Sequence, residues 1–337
     1  MNKLSMNTND KELPPVSLVI ITKDRREDLS RCLSSLYSLD YPKEKLEIIV
    51  IEEADKPEII QGVKYIHIPR ENRGWGYARN IGIRNSSYEI IGFIDDDCIV
   101  TKEWLKTLVA PFSEEIGGIT GGVRVKDSNA VGYCENVLGF PNGGLLRIHN
   151  SHNRIQKTIY LSTCNCLYKK GVFERVGNFY DAKKTRGTDS EFAARATQHY
   201  KCLFVPQAIV YHKPRRDLFK IFRWFIARGR SQITVYPLLS NKKRHFFLLL
   251  KNSFTIRLAI LALILYFVGH IRWFLLLAFF IIYYLFVFRK YSFQFRYLKR
   301  LDTLFLTPIV KLTMDIGMEV GILLELSRTL IKIKKRA

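Results

Sequence analysis

The chain has 337 residues, 47% of them apolar, and carries a formal charge of +22. That length holds one large domain or two ordinary ones, with ample material for a core. Six scattered cysteines fit reduced thiols rather than a disulfide framework, and Cys164-x-Cys166 lacks the second pair a zinc site needs, so packing on one strand face accounts for it better. The charge is unevenly spread: Lys213 to Arg257 holds twelve Lys or Arg against one acid, Asp217, and leads into an apolar stretch. That placement suits a membrane surface. No recognised binding module accompanies the charge, so nucleic acid is not expected as a partner.

Residues 1–14 read as a polar tail without an apolar leader, which points to a cytosolic globular part. Val16 to Ile21 predicts the first strand, bounded by Pro14-Pro15. Leu29, Cys32, Leu33 and Leu36 recur at helical spacing, predicting a helix from about Arg25 to Tyr37. Leu46 to Ile51 and Tyr65 to Ile68 follow as strands, then a helix over about Gly74 to Asn85 and a strand from Ile90. This alternation predicts an α/β fold with a single doubly wound, mostly parallel sheet. Further on, Leu161 to Leu167 reads as a strand, Lys169 to Arg175 and Asp189 to Gln198 as helices, and Cys202 to Val205 and Ala208 to Tyr211 as two strands parted by Pro206.

Two apolar stretches, 254–268 and 273–288, are separated by Gly269-His270-Ile271-Arg272 and have basic residues at both ends. Each is short of the roughly 20 residues of a spanning helix. Extending the first back to Phe246 reaches that length, so a membrane-spanning hairpin within 236–301 is expected, a re-entrant one being the alternative. In the last segment, Leu304 to Leu330, the residues Lys311, Asp315 and Glu319 form a polar stripe. With its basic tail, the 302–337 segment is expected to lie in the cytosolic interface, a third span being the alternative.

The strand Ile90-Ile91-Gly92-Phe93-Ile94 delivers three aspartates, Asp95, Asp96 and Asp97, to its carboxyl end. Buried carboxylates need a cation or several hydrogen-bond donors, and the carboxyl ends of open α/β sheets are where ligands bind. A divalent metal shared with a phosphate-bearing ligand is the simplest compensation. A solvated acidic turn or a helix N-terminus is the plain alternative.

Several blocks in order make the chain resemble an inverting family 2 glycosyltransferase of the A-type, Rossmann-like nucleotide-sugar fold, over residues 15–235. They are Val16 to Arg25, Glu47 to Glu53, Asn72-Arg73-Gly74 with Ala78 to Gly82, and Phe93-Ile94-Asp95-Asp96-Asp97 as the family's D-x-D. The resemblance implies a nucleotide-sugar donor contacted by Thr22, Asp24, Arg25, Glu52, Arg79 and Asp95. It also implies Mg²⁺ or Mn²⁺ held by Asp97 and Asp95, with His212 as a further ligand or a structural residue. Asp189, opening a helix in Gly187-Thr188-Asp189-Ser190-Glu191, aligns with the usual catalytic base, and Glu191 is a partial substitute because Thr188 stands where many members carry Glu. A plain N-cap is the other reading. Glu52 and Glu53 replace the usual aspartates, which departs from the standard base contact. Lys220-Ile221-Phe222-Arg223-Trp224 resembles the Q-x-x-R-W of processive members with Lys in place of Gln, but also makes an ordinary amphipathic interface helix. The resulting expectation is an integral membrane enzyme with a cytosolic catalytic domain, acting on a lipid-linked or lipid-phosphate acceptor. A non-enzymatic scaffold or nucleotide-sugar sensor that retains the fold is the alternative.

Overall fold

A computed structural model describes residues 12–181, 187–235, 254–269 and 272–334. In chain order the elements are β1 (Val16–Thr22), α1 (Arg26–Tyr37), β2 (Leu46–Glu53), β3 (Lys64–Ile68), α2 (Trp75–Arg84), β4 (Ile90–Asp95), β5 (Cys98–Val100), α3 (Trp104–Val109) and β6 (Ile116–Arg124). There follow α4 (Ala130–Val137), α5 (Gly144–Asn150), β7 (Gln156–Lys157), β8 (Asn165–Lys169), α6 (Lys170–Val176), α7 (Thr188–His199), β9 (Lys201–His212) and α8 (Leu218–Val235). The three long C-terminal helices among the described residues are α9 (Phe254–Phe267), α10 (Trp273–Tyr291) and α11 (Leu301–Lys334), with one helical turn, Phe295–Leu298, between the last two.

One sheet carries all nine strands in the order β3-β2-β1-β4-β8-β6-β9-β5, with β7 against β9. Strands β3, β2, β1 and β4 are parallel, as the alternating pattern predicts, and β6 is parallel to β9. Between these blocks β8 runs antiparallel to both β4 and β6. Alternation along β1 shows the double winding: Leu18 and Ile20 join a core with α1 and α3, while Val19 and Ile21 join one with α2, α6 and α7.

Two expectations change in the second half of the sheet. The strand expected at Leu161 to Leu167 begins only at Asn165 and runs to Lys169. The two strands parted by Pro206 are one, β9, with a register shift where Val205 pairs Gly121 and Ile209 pairs Gly122. Pro206 sits in that bulge, where no ladder donor is required. Strand β6, Ile-Gly-Gly-Ile-Thr-Gly-Gly-Val-Arg, has no apolar alternation to read because the packing needs glycine. A Cβ on Gly121 would lie 2.1 Å from the Ala208 carbonyl oxygen and 2.4 Å from the Asn165 amide.

Asn165 closes this region. Buried completely, it accepts from the Trp104 indole at 2.9 Å and donates to the carbonyls of Gly122 (2.8 Å) and Ala208 (2.9 Å). Asn165→Leu strands three buried polar groups and should lower stability by about 3 kcal/mol or more, read as a fall in melting temperature.

A third apolar core joins α4 and α8 to α10 and α11. Helix α8 lies closely on α11: a Cβ on Gly229 would meet the Met318 carbonyl at 2.2 Å, and one on Gly321 the Ile226 carbonyl at 2.1 Å. The polar stripe of α11 faces inward, contrary to what an interface-lying helix implies. Asp315 and Glu319 are buried, bonded to Lys311 and to Arg257 of α9 respectively. Several outward residues of α11, among them Phe305, Ile309, Leu323 and Ile331, are apolar and exposed. Trp273–Leu298 is long and apolar enough to cross a membrane and is almost wholly unburied. The described part of the first apolar stretch, α9, is 14 residues long, and its expected extension back to Phe246 lies outside the described residues.

Candidate active site

Strands β1 and β4 are parallel neighbours, with Ile21 level with Asp95, so the loop after β1 and the aspartate triplet meet at one sheet end. The chain turns there through Asp24, whose positive φ of 56° is a conformation aspartate tolerates. Arg25 is thereby brought over the triplet, with Nη1 3.1 Å from Asp96 Oδ1 and 2.9 Å from Asp97 Oδ2. The Thr22 hydroxyl donates to Asp96 Oδ2 at 2.7 Å. Asp96 is thus turned inward, and burial lifts its pKa to about 6 against the opposing pull of Thr22 and Arg25. Asp96 and one oxygen of Asp97 anchor Arg25; the other Asp97 oxygen and Asp95 are left for a ligand.

Antiparallel pairing sets Cys98 of β5 level with His212 at the end of β9. The imidazole Nε2 lies 3.2 Å from Asp97 Oδ1 and 3.6 Å from Asp95 Oδ2. Its Nδ1 is 2.8 Å from the Lys213 carbonyl oxygen, which can only accept, so Nδ1 carries a proton and Nε2 faces the carboxylates. Burial favours the neutral ring, but Asp97 and then Asp95 outweigh it and raise the pKa to about 9. Asp97 Oδ1 is buried and has no hydrogen bond. An orphaned carboxylate oxygen, a second carboxylate and an imidazole nitrogen directed at both fit a divalent cation. Cys98 is also near, but its thiol donates to the Cys164 carbonyl and burial holds its pKa well up, so it is a core group and not a ligand.

The other expected nucleotide-binding positions line the sheet end nearby. Glu52 is level with Thr22 across β1 and β2. It is buried, bonded to Arg26, and accepts from the Tyr65 hydroxyl at 2.6 Å. Glu53 accepts from Lys23 (2.8 Å) and from the Asn72 amide (2.9 Å). Asp24 is held by both terminal nitrogens of Arg70. Arg79 is buried and reaches Thr188 at 3.3 Å with the Phe179 ring beneath it, so it ties α2 to α7.

Helix α7 opens after Gly187, which adopts a left-handed φ of 80°. In its first turn Asp189 accepts from Ser162 Oγ at 3.1 Å and from the Ser190 amide at 2.9 Å. Asp189 does not cap the helix. Glu191, expected as a partial substitute, is buried and spent on Arg195 at 2.6 and 2.9 Å, and Arg195 also binds the Asn178 carbonyl. Ser162 also accepts from the Cys164 thiol at 3.5 Å, and the Cys164 carbonyl accepts from Cys98, the neighbour of Asp97, so hydrogen bonds link Asp189 to the end of the aspartate triplet.

In the Lys220–Trp224 segment, Ile221 is buried and Trp224 packs edge-on to Phe140 and Phe225, with the Arg215 guanidinium 4.1 Å over its ring. Ser162, bonded to Asp189, belongs to the site region and carries no local motif that sequence reasoning could use.

An acidic group at the end of a sheet with helices wound on both faces agrees with the glycosyltransferase resemblance of the sequence. Residues 17–177 match the family model Glycosyl transferase family 2, so the chain contains a family 2 glycosyltransferase domain. Glycosyltransferase AglE of Haloferax volcanii is 29% identical over 237 residues, covering 67% of this chain and 75% of that one. The glucosyl-dolichyl phosphate glucuronosyltransferase of the same organism is 24% identical over 262 residues, covering 68% and 81%. Among solved structures, a mannosyltransferase from Pyrobaculum calidifontis in complex with GDP-Man and Mn²⁺ has the same fold, with a TM-score of 0.58 at 16% identity over 91% of this chain and 88% of that one.

Proposed function

We propose that this protein is a metal-dependent, inverting glycosyltransferase that moves a sugar from a nucleotide donor to a lipid-linked acceptor at the cytosolic face of a membrane. The observation that carries the reading is the grouping of Asp95, Asp97 and His212 as a donor set in one region with Asp189. Asp97, Asp95 and His212 would hold Mg²⁺ or Mn²⁺, which when bound neutralises charge on the departing nucleoside diphosphate. Arg25, anchored by Asp96, adds a second positive charge on that side. Thr22, Asp24 and Glu52 form the donor-side rim, and the buried Arg79 supports it from behind.

Asp189 acts on the acceptor side. It takes the proton from the acceptor hydroxyl as that oxygen attacks the anomeric carbon; the bond from that carbon to the diphosphate oxygen breaks on the opposite face. Ser162 and the Ser190 amide hold the carboxylate in place. Glu191 is left to fasten α7 and takes no part. The membrane location is supported by α10 and by the exposed apolar residues of α11, and in the sequence by the basic 213–257 stretch that precedes α10. The H. volcanii relative whose name specifies a dolichyl phosphate sugar supports a lipid-linked acceptor.

The test is a donor screen: membranes containing the protein, a panel of nucleotide sugars and Mg²⁺ or Mn²⁺, with mass spectrometry of extracted lipids. A lipid gaining one sugar, abolished by a chelator, is expected. Transfer that persists in the chelator, or transfer only to water-soluble acceptors, contradicts the reading.

A further inference from the structure

His212 is oriented by one hydrogen bond, from Nδ1 to the Lys213 carbonyl at 2.8 Å. The group that accepts from a metal-facing imidazole decides which nitrogen is free and where it points, so whatever fixes that carbonyl belongs to the site. On one side Lys213 is tied to the sheet end. Its amide donates to the Asp97 carbonyl at 3.0 Å, and its ammonium reaches both Asp28 oxygens of α1 at 2.8 and 2.9 Å.

The following residues are gripped by α4. A Cβ on Gly132 would meet the Ser128 hydroxyl and, at 2.8 Å, the Pro214 ring, so Pro214 lies close on the helix. Glu135 binds Arg215 twice: Oε2 accepts from its backbone amide at 2.9 Å and Oε1 from its guanidinium. Asn129, capping α4, donates to the Arg216 carbonyl at 2.8 Å. Glu135 is only 1% exposed, and a carboxylate so far from water is costly unless paired; here a single residue supplies both donors. The bond to the backbone amide has the longer reach. The pyrrolidine ring fixes φ of Pro214, which leaves one soft torsion between the held Arg215 amide and the peptide that carries the Lys213 carbonyl. Helix α4 is itself backed by α11, where the Cys134 thiol donates to the Thr303 carbonyl at 3.3 Å and accepts from the Thr307 hydroxyl at 3.4 Å.

We infer that Glu135 is a positioning residue for the metal centre: through Arg215 and Pro214 it fixes the Lys213 carbonyl that directs the His212 imidazole at Asp95 and Asp97. The inference rests on the metal-dependent reading proposed above and deepens it. Glu135 is bonded to none of those three side chains; its effect passes through the chain between Arg215 and His212. Without it Lys213 keeps its ties to Asp28 and Asp97, but its carbonyl is free to turn and Nε2 loses its fixed direction.

The experiment is titration of the full-length protein, in uncharged detergent, with Mn²⁺ alone, the free ion being read by electron paramagnetic resonance. Glu135→Gln should weaken Mn²⁺ binding about tenfold, the lower end of the range for groups that orient metal ligands, because the amide keeps one acceptor and turns a donor toward Arg215. Gly132→Ala leaves the carboxylate in place and pushes on Pro214. It should act in the same direction, and it replaces the glutamine variant where that does not fold. Glu191→Gln, which loosens α7, should lower the melting temperature and leave Mn²⁺ affinity unchanged, separating positioning from loss of stability. The deciding readout is a double-mutant cycle with His212→Ala: once the imidazole is gone, Glu135→Gln should add no further loss. Losses that add in full overturn the inference, as does wild-type affinity in the Glu135 variant. Wild type that binds no Mn²⁺ fails the metal-dependent reading and this inference with it, whereas binding indifferent to Glu135 overturns this inference alone.

Discussion

Asp97→Ala should lower sugar transfer by about a thousandfold or more while the protein stays folded and membrane-bound. The loss is that of a ligand to the ion stabilising the leaving group, where single electrostatic contacts are commonly worth a hundredfold or more. Asp97 carries this weight because one oxygen is paired with Arg25 while the other is buried without a hydrogen bond. In the metal-free protein the variant also loses the pairs of Asp97 with Arg25 and His212, so its melting temperature should fall modestly while the fold is kept. Added Mn²⁺ should raise the melting temperature of the wild type and not of the variant, since only a bound ligand shifts the folding equilibrium. Undiminished transfer by the variant would remove Asp97 from the mechanism.

Asp189→Asn should lower kcat by about a hundredfold to ten-thousandfold, the range for a general base, with the donor KM little changed. The amide keeps the shape and the contact with Ser162 and loses the basic oxygen. Glu191→Gln, two residues on, should give the opposite profile. It breaks the paired contact with Arg195 that fastens α7 to the loop at Asn178, so the melting temperature falls and kcat changes little. Steady-state kinetics beside thermal melts separates the two. A kcat collapse in the Glu191 variant with stability intact would transfer the base to that residue.

The parallel half of the sheet is legible because strands buried on both faces are continuous apolar runs, and β1, β2 and β4 are such runs. Helix α1 is legible from four apolar residues on one face. Glycine-rich β6 is not, because its side-chain pattern is erased where the Asn165 amide and the Ala208 carbonyl occupy the space. Pro206 misleads locally, since a bulge absorbs it. The outer aspartates and His212 stand out from strand-end position and the family pattern. The work of Asp96 depends on Thr22, 74 residues away, and spacing does not reveal it. In α11 the polar stripe is plain, but its inward orientation is decided by Arg257 of another helix.

The most direct test is the anomeric configuration of the product, read by NMR from a donor with an α-linked sugar. A site with the leaving group at Asp97 and one base, Asp189, on the acceptor side predicts a single displacement and a β-linked product. An α-linked product would contradict the account.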